Sequence, residues 1–350
     1  MADETCKIIG GVGLIRDAKR RRRADMYAVL AFGLLLQFSG LFWLVNSYYS
    51  YSEVEDGDPS LGIPAYRWLF AVIMPVMLSS YGYYKRSLNF TGAFTALFVG
   101  FFIGLSSFCF SASLIAFFIT SSRVTKYGAK IKRGIEGDFK EGGQRNWCQV
   151  VSNGAMAAEL AILYLIDVGV GERPVDFIED YRPSYMGMAI LGAVACVNGD
   201  TWASELGTIV STTSCRLVTT GRMVPRGTNG GVTLGGLVFS LLGGLVVGFA
   251  YYVALITCLS PRVLAASPRQ WPIVLVGGLG GLTGSLIDSL LGATLQFSGV
   301  DETSGKIVEK PGEKVKRISG IPLLDNCSVN LVSSVVNAFL VAEICKYGWS

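Results

Sequence analysis

The chain contains no histidine. Its absence removes imidazole-based nucleophile triads and the common histidine-ligated metal centres, leaving carboxylates, Lys, Arg, amides and backbone groups to carry any chemistry. Charge is scarce too: 16% of residues are Asp, Glu, Lys or Arg, against about 25% in average globular usage, which speaks against a water-soluble enzyme. No GxxxxGKS or GxxxxGKT phosphate loop is present, so a nucleotide would need a non-standard site. The eight cysteines (Cys6, Cys109, Cys148, Cys196, Cys215, Cys258, Cys327 and Cys345) show no CxxC spacing and read as small packing residues rather than disulfides or zinc ligands.

What the chain does have is apolar length. Hydrophobic residues make up 51% of it, glycine supplies 43 of 350 positions, and runs of about 20 apolar residues recur, enough for helices crossing a hydrocarbon core. The expected fold is all-α, a polytopic membrane protein of about nine spans (eight to ten) with a cytosolic N-terminus. Residues 1–25 form a basic cytosolic segment and 26–350 one integral membrane domain.

The net charge of +4 says little, but the placement of the basic residues sets the orientation, because short Lys- and Arg-rich loops stay inside. The block Lys19-Arg20-Arg21-Arg22-Arg23 is inside; Asp3 and Glu4 argue against a transit peptide, so Met26–Val45 remains as the first span. The acidic loop Glu53, Glu55, Asp56 and Asp58 is outside, and Tyr66–Tyr84 returns to Lys85 and Arg86. Thr91–Thr120 exceeds one crossing and reads as two helices turning near Ser106 and Ser107, ahead of the basic loop Arg123–Arg145. Trp147–Ile166 leads out to Glu172, Asp176, Glu179 and Asp180, and Tyr185–Val197 comes back, setting Asp200 at the cytosolic interface. Val232–Leu255, Pro272–Ala293 and Ser328–Ile344 complete the set, with Lys306–Arg317 as an inside loop.

On this topology the polar motifs converge at the cytosolic rim. Gly199-Asp200-Thr201-Trp202-Ala203-Ser204-Glu205-Leu206-Gly207 places two carboxylates at the end of an apolar run, where one alone costs roughly 3 kcal/mol and asks for a partner or a cation. Five helical residues separate Asp200 and Glu205 by ~140° about the axis, so both reach one cation only if the helix breaks or starts there, as Gly199 and Gly207 would allow. The alternative is that Asp200 caps the next helix and Glu205 pairs with an Arg such as Arg216.

Pro225-Arg226-Gly227-Thr228-Asn229-Gly230-Gly231 is a glycine-rich turn entering the seventh span, where amides and a positive helix end suit a phosphate; an ordinary turn is the plainer reading. Gly280, Gly284, Asp288 and Gly292 share a ridge at four-residue spacing, so Asp288 faces the bundle; a bond to a neighbouring Ser or Asn would also account for it. Lys126 precedes Gln144-Arg145-Asn146, and Gln149 and Asn153 share a face with Arg145, a donor-rich stripe fit for phosphate or nucleotide. A solvated loop followed by inter-helix amide bonds is the alternative. Asn326, Asn330 and Asn337 are polar positions of the last span, explicable as amide bonds between helices.

Together, Gly-Gly-Gln-Arg-Asn-Trp at Gly142–Trp147, Gly-Asp-Thr-Trp-Ala-Ser-Glu at Gly199–Glu205, Gly-Thr-Asn-Gly-Gly-Val-Thr at Gly227–Thr233, Asp-Ser-Leu-Leu-Gly-Ala-Thr at Asp288–Thr294 and Leu-Asp-Asn at Leu324–Asn326 resemble the transmembrane protein 19 family, related to the plant phytyl-phosphate kinases. The resemblance runs over nearly the whole chain. It implies a membrane kinase that passes a phosphoryl group from a nucleoside triphosphate, CTP favoured, to an isoprenoid monophosphate such as phytyl, geranylgeranyl or farnesyl phosphate, giving the diphosphate. In that setting Asp200, Glu205 and Asp288 are the expected catalytic Mg²⁺ ligands. Lys126, Gln144, Arg145, Asn146, Gln149, Asn153, Gly227, Thr228, Asn229, Gly230 and Gly231 hold phosphates or nucleotide, and Asn326 and Asn330 orient the site. The expected partners are the bilayer and the isoprenoid phosphate, not nucleic acid; the glycine ridges permit a homo-oligomer, and the expected location is an endomembrane, the endoplasmic reticulum. The rival is an ion-coupled or small-solute transporter using the same acids within discontinuous helices.

Overall fold

The computed structural model describes residues 63–132, 144–210 and 214–349, together with Gly40, Leu41, Leu44 and Val45, which are helical. The remainder of the expected first span, the basic N-terminal block, the acidic loop of Glu53 to Asp58 and residues 133–143 lie outside the described residues.

The helices are α1 (Ala65–Tyr84), α2 (Phe90–Ser106), α3 (Phe108–Lys132), α4 (Trp147–Asp167), α5 (Tyr181–Val210), α6 (Leu234–Cys258), α7 (Pro261–Ala266), α8 (Pro272–Leu295) and α9 (Asn326–Gly348). Among the described residues five are long and apolar enough to cross a membrane: α3 through Tyr127, α4, α6, α8 and α9; α2 is apolar and shorter. The expected pair within Thr91–Thr120 is present, split at extended Ser107. The carboxylate of Glu172 closes the start of α3, accepting the Phe108 N–H at 2.7 Å, a negative group at the positive end of a helix.

That carboxylate also meets Arg67 of α1, whose Nη2 lies 2.9 Å from Oε2 and 3.1 Å from Oε1, while the guanidinium carbon sits 4.2 Å from the centre of the Phe108 ring. Both side chains are buried, 3% and 9% exposed. Removing one partner of such a pair strands the other charge, so Arg67→Ala should cost about 3–5 kcal/mol and lower the melting temperature in detergent. Adding Glu172→Gln should restore part of the loss; equal melting of Arg67→Ala and wild type would show the pair to be structurally idle.

α5 is the axis of the bundle, packed against α3, α4, α6, α8 and α9. Gly187 through Gly199 are buried at every position, the mark of a helix enclosed on all sides. The expected end of this span at Val197 and the break at Gly199 or Gly207 are corrected, since α5 runs unbroken to Val210. The two glycines serve packing instead. A Cβ on Gly199 would stand 2.6 Å from the Cα of Gly281 on α8, and one on Gly207 2.8 Å from the Cα of Gly236 on α6. Asp200 consequently lies ten residues inside the helix end, about 15 Å, and not at its edge.

The expected all-α architecture is corrected by two small antiparallel sheets at the end of the bundle where α5 and α8 finish. β1 (Ser214–Leu217), β2 (Met223–Pro225) and β3 (Gly231–Val232) pair in the order β2-β1-β3; β4 (Ser298–Asp301), β5 (Ile307–Val308) and β6 (Val315–Ser319) pair in the order β5-β4-β6. The supposed loop Lys306–Arg317 therefore contains strand. Pro225–Gly231 links two strands, and α6 begins only after Thr233, whose hydroxyl accepts the Gly236 N–H at 3.0 Å.

Candidate active site

Connectivity puts the ends of α1, α3, α5 and α8 and the starts of α2, α4, α6 and α9 at one end of the bundle. The sequence-predicted site residues outside α5 and α8 lie at or near that end, while Asp200 and Asp288 are ten and seven residues inside their helix ends, and the structure does not gather them all into one constellation.

It does bring Asp200 and Asp288 together. The Ser285 hydroxyl donates to Asp200 Oδ1 at 3.4 Å, the Ser333 hydroxyl donates to Asp288 Oδ2 at 3.2 Å, and Asp200 is the charged neighbour acting on Asp288. The glycine ridge does as its spacing suggests: Gly280 abuts Ala195 and Gly284 abuts Cys196, which brings α8 onto α5 so closely that the next ridge position, Asp288, faces Asp200. Asn330 of α9 stands between this pair and α4. In one amide rotation its nitrogen reaches Asn153 Oδ1 at 3.1 Å; in the other it donates to Asp288 Oδ2 at 3.1 Å and to the Asn326 carbonyl at 3.2 Å. Two carboxylates with hydroxyl and amide oxygens around them form a hard-oxygen donor set, and Mg²⁺ is commonly held by one or two carboxylates with water and phosphate completing the shell. The residues present fit that ion.

Glu205 is not part of the pair. On the unbroken helix it points away from Asp200, is 7% exposed, and its charge acts on Arg145. Among the described residues no group of three or more Cys, Asp or Glu could hold a metal ion, so the three-acid set is corrected to two. Arg145 is fixed by its backbone, which donates to the Ser87 carbonyl at 2.9 Å and accepts from Asn89 N–H at 3.0 Å; a Cβ on Gly92 would collide with the Arg145 carbonyl. Its Nη2 donates to Ser121 Oγ at 3.1 Å and its guanidinium lies 5.4 Å from the centre of the Phe117 ring. Burial pushes the guanidinium down to about 10, opposed by the charge of Glu205, so it stays cationic at neutral pH.

The shared face of Arg145, Gln149 and Asn153 is present, since all three line one cleft between α1, α2, α3 and α4. Gln144 lies next to Arg145, half-buried. Other expected phosphate ligands have structural employment. Asn146 and Gln149 form a reciprocal cap at the start of α4, with bonds of 3.0 and 3.1 Å. Lys126 Nζ donates to the Lys85 carbonyl at 2.6 Å, tying α3 to the end of α1. The Thr228 hydroxyl donates to the Pro225 carbonyl at 2.7 Å. Asn229 clamps the sheets together: its N–H donates to Ser298 Oγ at 3.0 Å, its side-chain nitrogen to the Phe297 carbonyl at 3.4 Å, and its carbonyl accepts from Ser319 Oγ at 3.4 Å. Gly227 (φ 84°) and Gly230 (φ 78°) take left-handed backbone, and a Cβ on Gly230 would clash with Ala293 of α8; Gly231 fits against Cys215. Asn326 opens α9 behind its cap Asp325, whose carboxyl is held below the usual range by the Ser328 hydroxyl and N–H. Asn337 bonds between helices, donating to the Gly192 and Gly280 carbonyls at 2.9 Å and accepting from Thr283 at 2.6 Å.

Sequence reasoning missed Asn198, which links three helices by donating to the Gly243 carbonyl at 2.7 Å and accepting from the Thr120 hydroxyl at 3.1 Å. It also missed Ser285 and Ser333; their only signal was i−3 spacing to Asp288 and i+3 spacing to Asn330 on helices already judged to face inward.

A mostly helical, multi-pass protein with a polar cluster inside its apolar bundle is an integral membrane protein. Comparison with known families places it: the chain belongs to the family described as integral membrane protein DUF92, whose model matches residues 73–338, in line with the resemblance read from its motifs. Protein PGR of Arabidopsis thaliana is 40% identical over 287 residues, covering 81% of this chain and 98% of that protein. The uncharacterized membrane protein MJ0933 of Methanocaldococcus jannaschii is 28% identical over 217 residues, 62% of this chain and 78% of its own length. No solved structure matches.

Proposed function

We propose that the protein is a membrane-embedded, Mg²⁺-dependent kinase that transfers the terminal phosphoryl group of a nucleoside triphosphate, CTP favoured, to an isoprenoid monophosphate at the cytosolic rim of an endomembrane. The observation that carries this reading is the Asp200–Asp288 pair on α5 and α8, set with Ser285, Ser333 and Asn330 at the same end of the bundle as the Arg145 cation. Nine spans with the N-terminus in the cytosol would turn that end toward the nucleotide pool.

In the reaction an oxygen of the acceptor phosphate bonds to the γ-phosphorus, the bond from that phosphorus to the β-bridging oxygen breaks, and the nucleoside diphosphate leaves with the electron pair. A phosphate monoester has a second pKa of ~6, so the nucleophile is already ionised at neutral pH and no general base is needed. This suits a chain without histidine. Asp200 and Asp288 would hold Mg²⁺, and the ion would supply neutralisation of the charge on the phosphates. Ser285 and Ser333 orient the two carboxylates, and Asn330 ties Asp288 to α4.

The test is transfer from labelled CTP and ATP to farnesyl, geranylgeranyl and phytyl phosphates by purified protein in lipid. Mg²⁺-dependent diphosphate formation is expected. Well-folded protein inert toward every pair would bring forward the transporter reading, which the depth of the acids favours, with Asp288 seven residues, about 10 Å, inside the end of α8.

A further inference from the structure

The cleft between α1, α2, α3 and α4 is not accounted for by the acidic pair. Its walls are aliphatic and aromatic, with Met74, Leu78, Val99, Leu114 and Phe117 among them, and Arg145 is the one charged side chain that lines it among the described residues. From Arg145 to Gly154 the cleft follows α4 for nine residues, about 14 Å. Arg145, just ahead of α4, and Gln149 and Asn153 on it form one polar stripe, and the Ser79 hydroxyl of α1 is the other polar side chain of the lining. An apolar slot with a cation and two amides along one wall matches a molecule with one linear apolar chain and a compact anionic head. It does not match a nucleotide, which is polar along its whole length.

The slot also connects to the acids. Asn153 is hydrogen-bonding distance from Asn330, and Asn330 in its other amide rotation donates to Asp288. A phosphate bound by Arg145, Gln149 and Asn153 would thus be separated from the carboxylate pair by a single side chain. We infer that this cleft is the acceptor subsite, taking a single-chain lipid monophosphate with its tail among Met74, Leu78, Val99 and Leu114 and its head on Arg145, Gln149 and Asn153, while the donor is held on the other side of Asn330 by the acidic pair. The inference rests on the kinase reading for its use of the word acceptor, but the binding itself does not require transfer to occur. Guanidinium suits the task because its planar fork meets phosphate oxygens bidentately. Gln149 spends its side-chain oxygen on the Asn146 N–H at 3.1 Å and has its amide nitrogen left to offer a phosphate, whereas the groups consumed by folding on Lys126, Thr228 and Asn229 belong to neither subsite.

Chain-length selection follows from the walls. Ala96 lines the slot on α2, and a phenyl ring placed there would shorten the space for the tail.

The experiment uses full-length protein in nanodiscs and a geranylgeranyl monophosphate bearing a diazirine at the tail end, with cross-linked peptides mapped by mass spectrometry. Cross-links competed by unlabelled geranylgeranyl phosphate are expected within residues 74–79, 96–100 and 114–118. Ala96→Phe should cut them at least five-fold while shifting preference toward a shorter chain, and Arg145→Gln should weaken competition by short-chain prenyl monophosphates about ten-fold. The wild-type map stands even if a variant misfolds. Cross-links confined to α6, α8 or α9, or competition by two-chain phosphatidic acid as strong as by the prenyl phosphate, would overturn the inference. Cleft labelling without any transfer would leave the subsite standing and remove the kinase; transfer with labelling elsewhere would do the reverse.

Discussion

Asp288→Asn is expected to reduce phosphoryl transfer at least about a hundred-fold, the scale on which a single charge-stabilising group acts at a reacting centre, while leaving the protein as heat-stable as wild type or more so. The geometry sets both halves of this expectation. Asn has the shape of Asp and keeps an oxygen to accept the Ser333 hydroxyl that now donates at 3.2 Å, so packing between α8 and α9 is preserved. What disappears is one of two carboxylates facing each other inside the bundle, an arrangement that costs energy unless a cation sits between them. A residue retained for structure alone should destabilise when replaced; one retained against its own repulsion should not. Asp200→Asn should behave alike, and the double variant should lose little more than either single one, because one bound ion is lost in every case. Transfer within a few-fold of wild type in both singles, measured with Mg²⁺ at saturation, would remove the pair from the chemistry.

The second large effect is on folding. Gly281→Val should abolish a monodisperse species in detergent, and Gly281→Ala should lower the melting temperature by several degrees. A Cβ at Gly281 would collide with the Ser240 carbonyl of α6 and stand 2.8 Å from the Cα of Gly244. These are backbone atoms, which cannot swing aside as a long side chain would, and overpacking of this kind costs about 1–3 kcal/mol even for small groups. Gly277 repeats the contact one turn earlier, with Gly248 Cα 2.6 Å from where its Cβ would be. Close approach through small residues is how helices associate where lipid supplies no hydrophobic drive. Gly348→Ala, with nothing within 4 Å, is the control and should melt as wild type does.

The same glycines mark where the sequence could and could not be read. A helix pair turning at Ser106 and Ser107 was legible, because 30 apolar residues exceed one crossing and paired serines supply the turn. The start of α4 at Trp147 was legible from the apolar run that follows it, whereas the capping box of Asn146 and Gln149 was read as a phosphate-binding stripe. Gly199 and Gly207 misled because propensity treats glycine as a breaker, whereas here each yields its side-chain volume to a neighbouring backbone. That single reversal carried Glu205 away from Asp200. The strands escaped because they are two to five residues long and lie in segments whose Lys and Arg read as loop; their pairing is set by partners distant along the chain, as with Asn229 and Ser298. Asp288 was placed correctly as inward-facing, and its partner on α5 became visible only once the register of α5 against α8 was known.

α5 is enclosed by its neighbours from Gly187 to Gly199, yet it is not among the five helices apolar enough to cross a membrane by composition. The segment that must carry polar groups is the one spared from meeting lipid. During biogenesis it would gain little by partitioning alone, since Asn198 finds partners on Gly243 and Thr120 and Asp200 finds one on Ser285. Its entry into the bilayer is therefore a collective event, in which α6 and α8, emerging later from the ribosome, complete the insertion of a helix made before them.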